Sequence, residues 1–321
     1  MTQTTTNRGS RLTKHRRRGA RRAAPPSAKR RTVGVIGLGI VGSAIAANLI
    51  KTGFEVLGYD ILEPPLRRLH RVGGISASDV PQIARGANVM ITSLSSSQAL
   101  LEVTRQIAST ARQKTVVIET STMPLAIKEE AAGILAERGM ELLDCPLSGS
   151  GSQARTKDIV MYASGPRSVI RRVTPVLEGF VRAHHYVGPF GAGTKMKFAA
   201  NLLVAVHNLA AAEALVLVEK SGLDLGHSLR VLRDGAGASR ALQVRGPLMV
   251  KNDYSSEVTT KLHVWQRDMV TIAEFADAIG VATPLLTAAL PIYAAAAESG
   301  GARDISAVCA VLEERSQWQR R

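Results

Sequence analysis

The strongest constraint on the fold is a glycine-rich loop between an apolar, β-prone run (TVGVI) and a segment with helical periodicity. Gly37 permits a tight turn, Gly39 lets the backbone approach a bound group, and Gly42 lets a helix pack closely on a strand. The N-terminus of the following helix favours negative charge, such as that of a pyrophosphate. The loop therefore predicts a dinucleotide site, which we assign to Gly37, Leu38, Gly39, Ile40, Val41 and Gly42.

The sequence after this loop alternates short runs rich in Val and Ile with segments of helical length. The β-prone runs are TVGVIGL, EVLGYD, NVMITSL, TVVIET, MELLDC and IVMYAS. Such alternation is typical of the α/β class and predicts a Rossmann-type doubly wound parallel sheet. Beyond residue 193 only helical patterns remain, beginning with a long helix over 194–220. We therefore predict an NAD-binding domain at 32–192 and an all-helical C-terminal domain at 193–321, for substrate binding and dimerisation.

The net charge of +15 is concentrated at the N-terminus. Residues 1–31 contain 11 of the 41 Lys and Arg and none of the 26 acidic residues, which leaves 30 basic residues against 26 acidic ones in the remainder. With almost no large apolar side chains, this tail is expected to be disordered. An incidental extension, a mitochondrial transit peptide and a nucleic-acid-binding arm remain alternatives for it. The balanced remainder gives no reason to expect nucleic acid as a partner.

Cysteine content and hydropathy indicate a cytoplasmic protein without a membrane span. The two cysteines, Cys145 and Cys309, provide no disulfide framework and fit a reducing compartment. The longest apolar stretch, 199–218, is interrupted by polar residues that a membrane span would tolerate poorly. We predict a buried helix there. His184, His185 and His207 form no pattern typical of a metal site, and we predict none.

Asp60 indicates which dinucleotide the loop would bind. It ends the second β-prone run, 18 residues after Gly42. A carboxylate at this place accepts hydrogen bonds from both ribose hydroxyls and repels a 2′-phosphate. We therefore expect NAD as the cofactor and NADP as the less favoured one, although Arg67 and Arg68 lie near enough in sequence to reach a phosphate.

Lys197 and Asn201 are the candidate catalytic pair. Their spacing of four residues places both side chains on one face of the long helix. To act as a base, a lysine needs its pKa lowered from about 10.4 toward about 7–8, by desolvation or nearby positive charge. Oxidised nicotinamide and Lys195 could each supply that charge. The Lys195 side chain itself projects about 200° away around the helix.

Three ordered motifs make residues 32–314 resemble the β-hydroxyacid dehydrogenase family, which includes 3-hydroxyisobutyrate dehydrogenase, tartronate semialdehyde reductase and 6-phosphogluconate dehydrogenase. The motifs are the glycine loop, DCPLSGSG at 144–151 and GAGTKMKFAAN at 191–201. The resemblance implies an NAD-dependent oxidoreductase that acts on a small 3-hydroxy acid of the 3-hydroxyisobutyrate type, with Lys197 as general acid/base and Asn201 orienting the substrate. It implies substrate contacts at Ser148, Gly149, Ser121 and Thr122. It also places Leu94, Thr122 and Arg267 beside the cofactor.

The chain departs from the family pattern at a few positions. Ser150 replaces a common glycine and Ala200 a frequent polar residue, and we expect both to line the region that selects the substrate. Glu119 replaces an aspartate and Arg267 a lysine.

The alternative functions are an imine reductase on the same fold and a non-catalytic module carried to nucleic acid by the tail. Members of both kinds generally lack the lysine at position 197, which argues against them. Alanine-rich helical segments at 210–214 and 294–297 predict a homodimer or homotetramer.

Overall fold

The computed structural model describes Met1 and residues 31–318. The predictions of disorder, a mitochondrial address or nucleic-acid contact for the basic tail fall on residues outside this described part. Residues 31–318 belong to one compact unit. The predicted boundary between residues 192 and 193 stays a prediction, and it falls in the first turn of a long helix.

The first part of the fold is a sheet with helices on both faces. Its strands are β1 (Thr32–Ile36), β2 (Glu55–Tyr59), β3 (Ile75–Ser76), β4 (Val89–Thr92), β5 (Val116–Glu119), β6 (Glu141–Asp144), β7 (Leu147–Ser148), β8 (Val160–Ser164) and β9 (Ala183–Gly188). Its helices are α1 (Ile40–Lys51), α2 (Glu63–Arg71), α3 (Val80–Gly86), α4 (Ser97–Thr110), α5 (Leu125–Ala136), α6 (Gly151–Arg155) and α7 (Arg167–Phe180).

The strand order is β3-β2-β1-β4-β5-β6-β8-β7, with β9 paired to β8. Strands β1 to β6 are all parallel, which confirms the predicted Rossmann-type doubly wound sheet. β8 runs antiparallel to β6 and β7, so this end of the sheet is mixed. The order in which successive strands are added to the sheet reverses between β1 and β4. In such sheets ligands bind outside the carboxyl ends of the strands at this point.

The second part is entirely helical among residues 192–318, as predicted. It contains α8 (Ala192–Lys220), α9 (Leu225–Asp234), α10 (Arg240–Lys251), α11 (Leu262–Ala278), α12 (Pro284–Gly300), a single 3-10 turn (Ile305–Ala307) and α13 (Val308–Arg315). α8 is followed by Gly222 with a φ of +83°, a left-handed position where glycine avoids a Cβ clash. Three separate clusters of buried apolar side chains cover the two faces of the sheet and fill the helical part.

Helix α8 crosses the centre of the helical part. By length and composition it could span a membrane, and 44% of its most apolar window is buried inside the protein. The buried Asn208 amide donates hydrogen bonds to the Tyr293 hydroxyl at 2.9 Å and to the Ile305 carbonyl at 3.0 Å. A polar side chain in the middle of a core helix needs hydrogen-bond partners, and here the protein itself provides them.

Candidate active site

The glycine loop has the geometry that its sequence predicts. Gly37 has a φ of +87°, and a Cβ there would lie 2.2 Å from the Ser93 carbonyl oxygen. A Cβ on Gly42 would lie 1.8 Å from the Gly37 carbonyl oxygen. Both glycines are therefore required by the close packing of β1, α1 and the end of β4.

Gly39 differs from its two neighbours in the motif. A Cβ on Gly39 would meet no atom within 4 Å, so the loop has an open side at this residue. Gly39 is also the N-cap of α1 and offers no side-chain cap, and the first bond of the helix runs from the Ser43 N–H to the Gly39 carbonyl. The N–H groups of the first turn are consequently free for an anionic group in that opening. The residues present fit a dinucleotide pyrophosphate.

Asp60 lies beside this loop at the end of β2. Its carboxylate accepts hydrogen bonds from the backbone N–H of Leu38 at 2.7 Å and of Leu62 at 2.9 Å. These contacts fix the carboxylate at the mouth of a cleft of about 350 Å³ that is also lined by Gly37, Gly39 and Leu94. Arg67 is ion-paired with Glu63 at 2.6 Å.

Ser121, Thr122 and Arg267 lie near the carboxyl ends of β4 and β5. The Ser121 hydroxyl accepts a hydrogen bond from the Leu94 N–H at 2.9 Å, which joins the ends of β4 and β5. Thr122 follows it, partly buried. From α11, the Arg267 guanidinium donates to the Ser95 carbonyl at 2.6 Å and so connects the helical part to the β4–α4 loop. Ser121 and Thr122 are absent from the lining of the Lys197 cleft, and their contact with substrate stays a prediction.

Lys197 and Asn201 face a second cleft, of about 520 Å³, between the sheet and the helical part. Ser148 and Gly149 line it from the sheet side, so four predicted site residues from two distant segments converge there. The cleft is also lined by Ser150, Gln153, Asp158, Val160, Arg182, Val204, Arg240, Ala241, Val244, Arg245, Thr260, Trp265 and Asp268.

Ser150 and Ala200 were both expected to line this cleft. Ser150 does, but its hydroxyl and N–H form a capping box with Gln153 at the start of α6, so its side chain is already engaged. The expectation for Ala200 is wrong, because Ala200 is not part of the lining. It projects about 100° away from Asn201 around α8.

Close approach of α8 to the sheet places Lys197 at the cleft. A Cβ on Gly193 would lie 2.5 Å from the Asp144 carbonyl oxygen and 2.7 Å from that of Tyr162. The Thr194 N–H and hydroxyl both donate to the Asp144 carboxylate, at 2.7 and 2.8 Å. The first turn of α8 is thus held against the ends of β6 and β8, one turn before Lys197.

A buried ionic cluster behind this junction was not found from the sequence. The Lys128 amine, fully buried, lies 2.7 Å from the Glu119 carboxylate and 2.9 Å from that of Asp144, and donates to the Ser121 carbonyl at 2.7 Å. Burial alone would lower the pKa of Lys128, but the two carboxylates outweigh it and raise that pKa. The cluster ties β5, α5, β6 and α8 together. In sequence Lys128 is an ordinary helix lysine, and only the fold brings the acids to it.

Lys197 itself has the perturbed pKa that proton transfer requires. Burial lowers it from 10.5 to about 8; Asp268 opposes the shift, while Lys128 and Arg245 reinforce it. The cationic side chains that lower the pKa of Lys197 are therefore Lys128 and Arg245. The suggestion that Lys195 supplies this charge is wrong, because Lys195 is exposed on another side of α8.

Asp268 is the acidic neighbour of Lys197. Burial raises its pKa to about 6, against the opposing effects of Arg267 and Lys197. Arg267 donates to the Asp268 carboxylate at 3.3 Å. Lys197 and Asp268 form a coupled pair whose pKa values flank neutral pH.

A larger cleft, of about 730 Å³, lies on the outer face of α1. Its cationic side chains, Lys51, Arg68 and Arg155, are exposed to solvent. The cleft also contains Gly39 and Asp60 of the predicted dinucleotide site, whereas Lys197 and Asn201 line the smaller one. The smaller Lys197 cleft is therefore the candidate catalytic centre.

Comparisons with known proteins agree with this geometry. Residues 32–188 match the NAD binding domain of 6-phosphogluconate dehydrogenase, and residues 191–312 match the NAD-binding domain of NADP-dependent 3-hydroxyisobutyrate dehydrogenase. An L-threonate dehydrogenase of Cupriavidus necator is 30% identical over 287 residues, which cover 88% of this chain and 96% of that protein. The chain belongs to the β-hydroxyacid dehydrogenase family.

Other members of the family align over similar lengths. A probable 3-hydroxyisobutyrate dehydrogenase of Mycobacterium bovis is 30% identical, covering 89% of this chain and 99% of that one. The crystal structure of a Salmonella typhimurium 3-hydroxyisobutyrate dehydrogenase superposes with a TM-score of 0.81 at 26% identity, covering 88% of this chain and 99% of that one. The chain is accordingly an NAD(P)-dependent hydroxyacid dehydrogenase.

Proposed function

We propose that this protein oxidises a small 3-hydroxy acid of the 3-hydroxyisobutyrate type with NAD, and that Lys197 is the general acid/base. The observation that carries the proposal is a partly buried Lys197, with a pKa lowered to about 8, in a cleft shared with Ser148, Gly149 and Asn201. At that pKa the amine exchanges protons readily near neutral pH.

The proposed roles follow from the hydrogen-bonding groups that line the cleft. Asn201 is 4% exposed, and it lines the cleft one helical turn from Lys197. A buried amide needs a partner, and the hydroxyl oxygen of a substrate beside Lys197 would provide one. The Ser148 hydroxyl and the backbone N–H groups of the Ser148-Gly149 loop are suited to a carboxylate.

Gly149 gives that loop its shape. It has a φ of +143°, and a Cβ there would lie 2.6 Å from Ile159 Cγ2. A side chain at this position would therefore displace the loop from the cleft.

During oxidation the neutral amine of Lys197 takes the proton of the substrate hydroxyl. In the reverse direction the ammonium returns that proton to the carbonyl oxygen. Bound NAD would supply the hydride acceptor for the oxidation. The glycine loop would hold the pyrophosphate at the open side of Gly39, and Asp60 would accept hydrogen bonds from the ribose hydroxyls. Because Asp60 places negative charge where NADP carries its 2′-phosphate, we propose NAD as the preferred cofactor.

Replacement of Lys197 by alanine tests the assignment. We expect Lys197→Ala to lose at least a hundredfold in kcat with 3-hydroxyisobutyrate, because general acid/base groups contribute about 10²–10⁴-fold. NAD affinity, measured by titration calorimetry, should stay near that of the wild type. Lys195→Ala is the matched control, since this exposed lysine lies two residues away on the same helix. Near-wild-type turnover of Lys197→Ala would refute the assignment.

The same assay separates the dehydrogenase from an imine reductase. A Streptomyces aurantiacus imine reductase shares the fold, with a TM-score of 0.60 at 22% identity. Cyclic imines are the probe for that activity. Their reduction by wild-type protein and Lys197→Ala alike, without oxidation of any hydroxy acid, would replace the proposed reaction.

We also propose that the protein is a homodimer or homotetramer. Apolar side chains remain exposed on the helical part, including Leu203 (53%) and Leu217 (69%) on α8 and Leu285 (65%) on α12. Apolar surface of this kind is typical of a subunit interface. Light scattering on the purified protein measures the mass, and a monomer at micromolar concentration would refute the proposal.

A further inference from the structure

The Lys197 cleft contains a buried arginine that the proposed reaction does not use. Arg245 lies on α10 and lines the cleft, and only 8% of it is exposed. Its nearest acidic group is the Asp304 carboxylate, 3.8 Å from Nε, and the Nε–H has no hydrogen-bond partner. A guanidinium has five donors in a fixed fork, and burying it without partners is costly.

Asp304 does not need Arg245 as a partner. Its carboxylate accepts hydrogen bonds from the N–H and hydroxyl of Thr259, both at 2.6 Å, from the Thr260 N–H at 3.1 Å and from the Ser306 N–H at 2.9 Å. These contacts hold the loop before α11 against the turn that precedes α13. The Arg245 charge is left facing the cleft.

A second arginine of α10 lies at the same cleft. Arg240 Nη2 is 3.7 Å from the Asp158 carboxylate, which is beyond hydrogen-bonding distance, and Nη1 donates to Gln243 at 3.3 Å. Asp158 is already bound more closely by Arg182, at 2.8 Å, and by Gln153, at 3.2 Å. The Arg240 fork therefore remains largely open.

The charge of the cleft is consequently unbalanced. Four cationic side chains line it, Lys197, Arg182, Arg240 and Arg245, against two acidic ones, Asp158 and Asp268. Each acid already has an arginine partner, Arg182 for Asp158 and Arg267 for Asp268. A substrate whose single carboxylate lies at Ser148-Gly149 would leave Arg240 and Arg245 with only the longer contacts to Asp158 and Asp304, at 3.7 and 3.8 Å.

We propose that Arg240 and Arg245 form a subsite for a second carboxylate, so that the substrate class is a 3-hydroxy acid with two acidic groups. The inference rests on the proposed function, because it places the reacting hydroxyl at Lys197 and the first carboxylate at Ser148-Gly149. Arg–carboxylate pairing in two-point geometry gives both affinity and orientation. The specificity residues are thus on α10, about 45 residues beyond Lys197.

The test compares diacids with their neutral counterparts on NAD-loaded enzyme. The substrates are 2-(hydroxymethyl)succinate, its homologue with one more methylene, and the amide of each at the carboxylate remote from the hydroxymethyl carbon. A diacid and its amide match in size and in the reacting centre and differ in charge. We expect kcat/KM for the better diacid to exceed that of its amide by about 10- to 100-fold, the range for hydrogen bonds to charged groups.

Variants assign the preference to α10. Arg240→Gln should raise KM for the diacid about tenfold and have a clearly smaller effect on KM for the amide. Arg245→Lys keeps the buried charge and the fold while losing the fork, and should lower the diacid preference to a smaller degree. Arg112→Gln, at an exposed position outside the cleft, is the control.

Two results would overturn the subsite alone: equal turnover of diacid and amide by the wild type, or an equal loss for both substrates in Arg240→Gln. Failure to oxidise any of the four compounds or 3-hydroxyisobutyrate would overturn the proposed function and the subsite with it. The two failures are therefore distinguishable by whether the monoacid is oxidised.

Discussion

Replacing Asp268 by asparagine should make Lys197 a better base near neutral pH. The Asp268 carboxylate raises the pKa of Lys197, whereas burial, Lys128 and Arg245 lower it, to about 8 in total. At pH 7 a lysine with that pKa is deprotonated in about one molecule in ten, against about one in 3,000 for an ordinary lysine. The net shift, of which burial is the largest cause, corresponds to about 3 kcal/mol in favour of the neutral amine.

Asp268→Asn removes the acidic group that opposes this shift. An opposite charge nearby changes a pKa by about 1–3 units, so we expect the Lys197 pKa to fall by about 1 unit. The positive charge of Arg267, no longer paired with Asp268, acts in the same direction. About half of the variant would then be deprotonated at pH 7, and hydroxy-acid oxidation should be about fivefold faster there.

The pH dependence of kcat/KM for oxidation is the appropriate assay. In the wild type the acid limb should have its midpoint near pH 8, and in Asp268→Asn about one unit lower. Below about pH 6 the wild-type Asp268 is itself protonated, so the two profiles should meet there. The difference is therefore confined to pH values between about 6 and 9.

Asp277→Asn provides the control, because Asp277 is an exposed residue of the same helix. Its profile should coincide with that of the wild type. An acid limb that stays in place in Asp268→Asn, or moves to higher pH, would show that Asp268 does not act on the base. If the acid limb of Lys197→Arg were identical to that of the wild type, a group other than Lys197 would be responsible for it.

Three further substitutions test the fold and the cofactor site. Gly39→Ala should keep its melting temperature but weaken NAD binding at least tenfold by calorimetry, because the new Cβ enters the open side of the loop; unchanged affinity would remove the pyrophosphate from that opening. Lys128→Met leaves the buried Glu119 and Asp144 carboxylates without their cationic partner and should lower the free energy of unfolding in urea by about 3–5 kcal/mol; a change below about 1 kcal/mol would contradict the buried cluster. Asp60→Asn should raise kcat/KM for NADP relative to NAD, and a ratio unchanged from wild type would show that Asp60 does not select the cofactor.

Local patterns in the sequence predicted the fold well. The strand and helix periodicities gave the parallel sheet and the helical part, because alternation and turn signals are properties of neighbouring residues. The short helices α2 and α3 were missed because they have too few residues for a clear period. Strand β9 was missed because its sequence, AHHYVG, has no apolar run. The antiparallel pairing of β8 was also missed, since strand direction depends on how distant segments meet.

The sequence by itself determined the components that lie close together in the chain: the glycine loop, the one-turn spacing of Lys197 and Asn201, and the Ser148-Gly149 turn. Only the tertiary structure decided what surrounds them. Burial is the largest cause of the lowered pKa of Lys197, and Asp268, Lys128 and Arg245 modify that pKa from three helices about 45 to 70 residues away in the chain. Electrostatic effects depend on distance in space, and spacing along the chain does not give that distance.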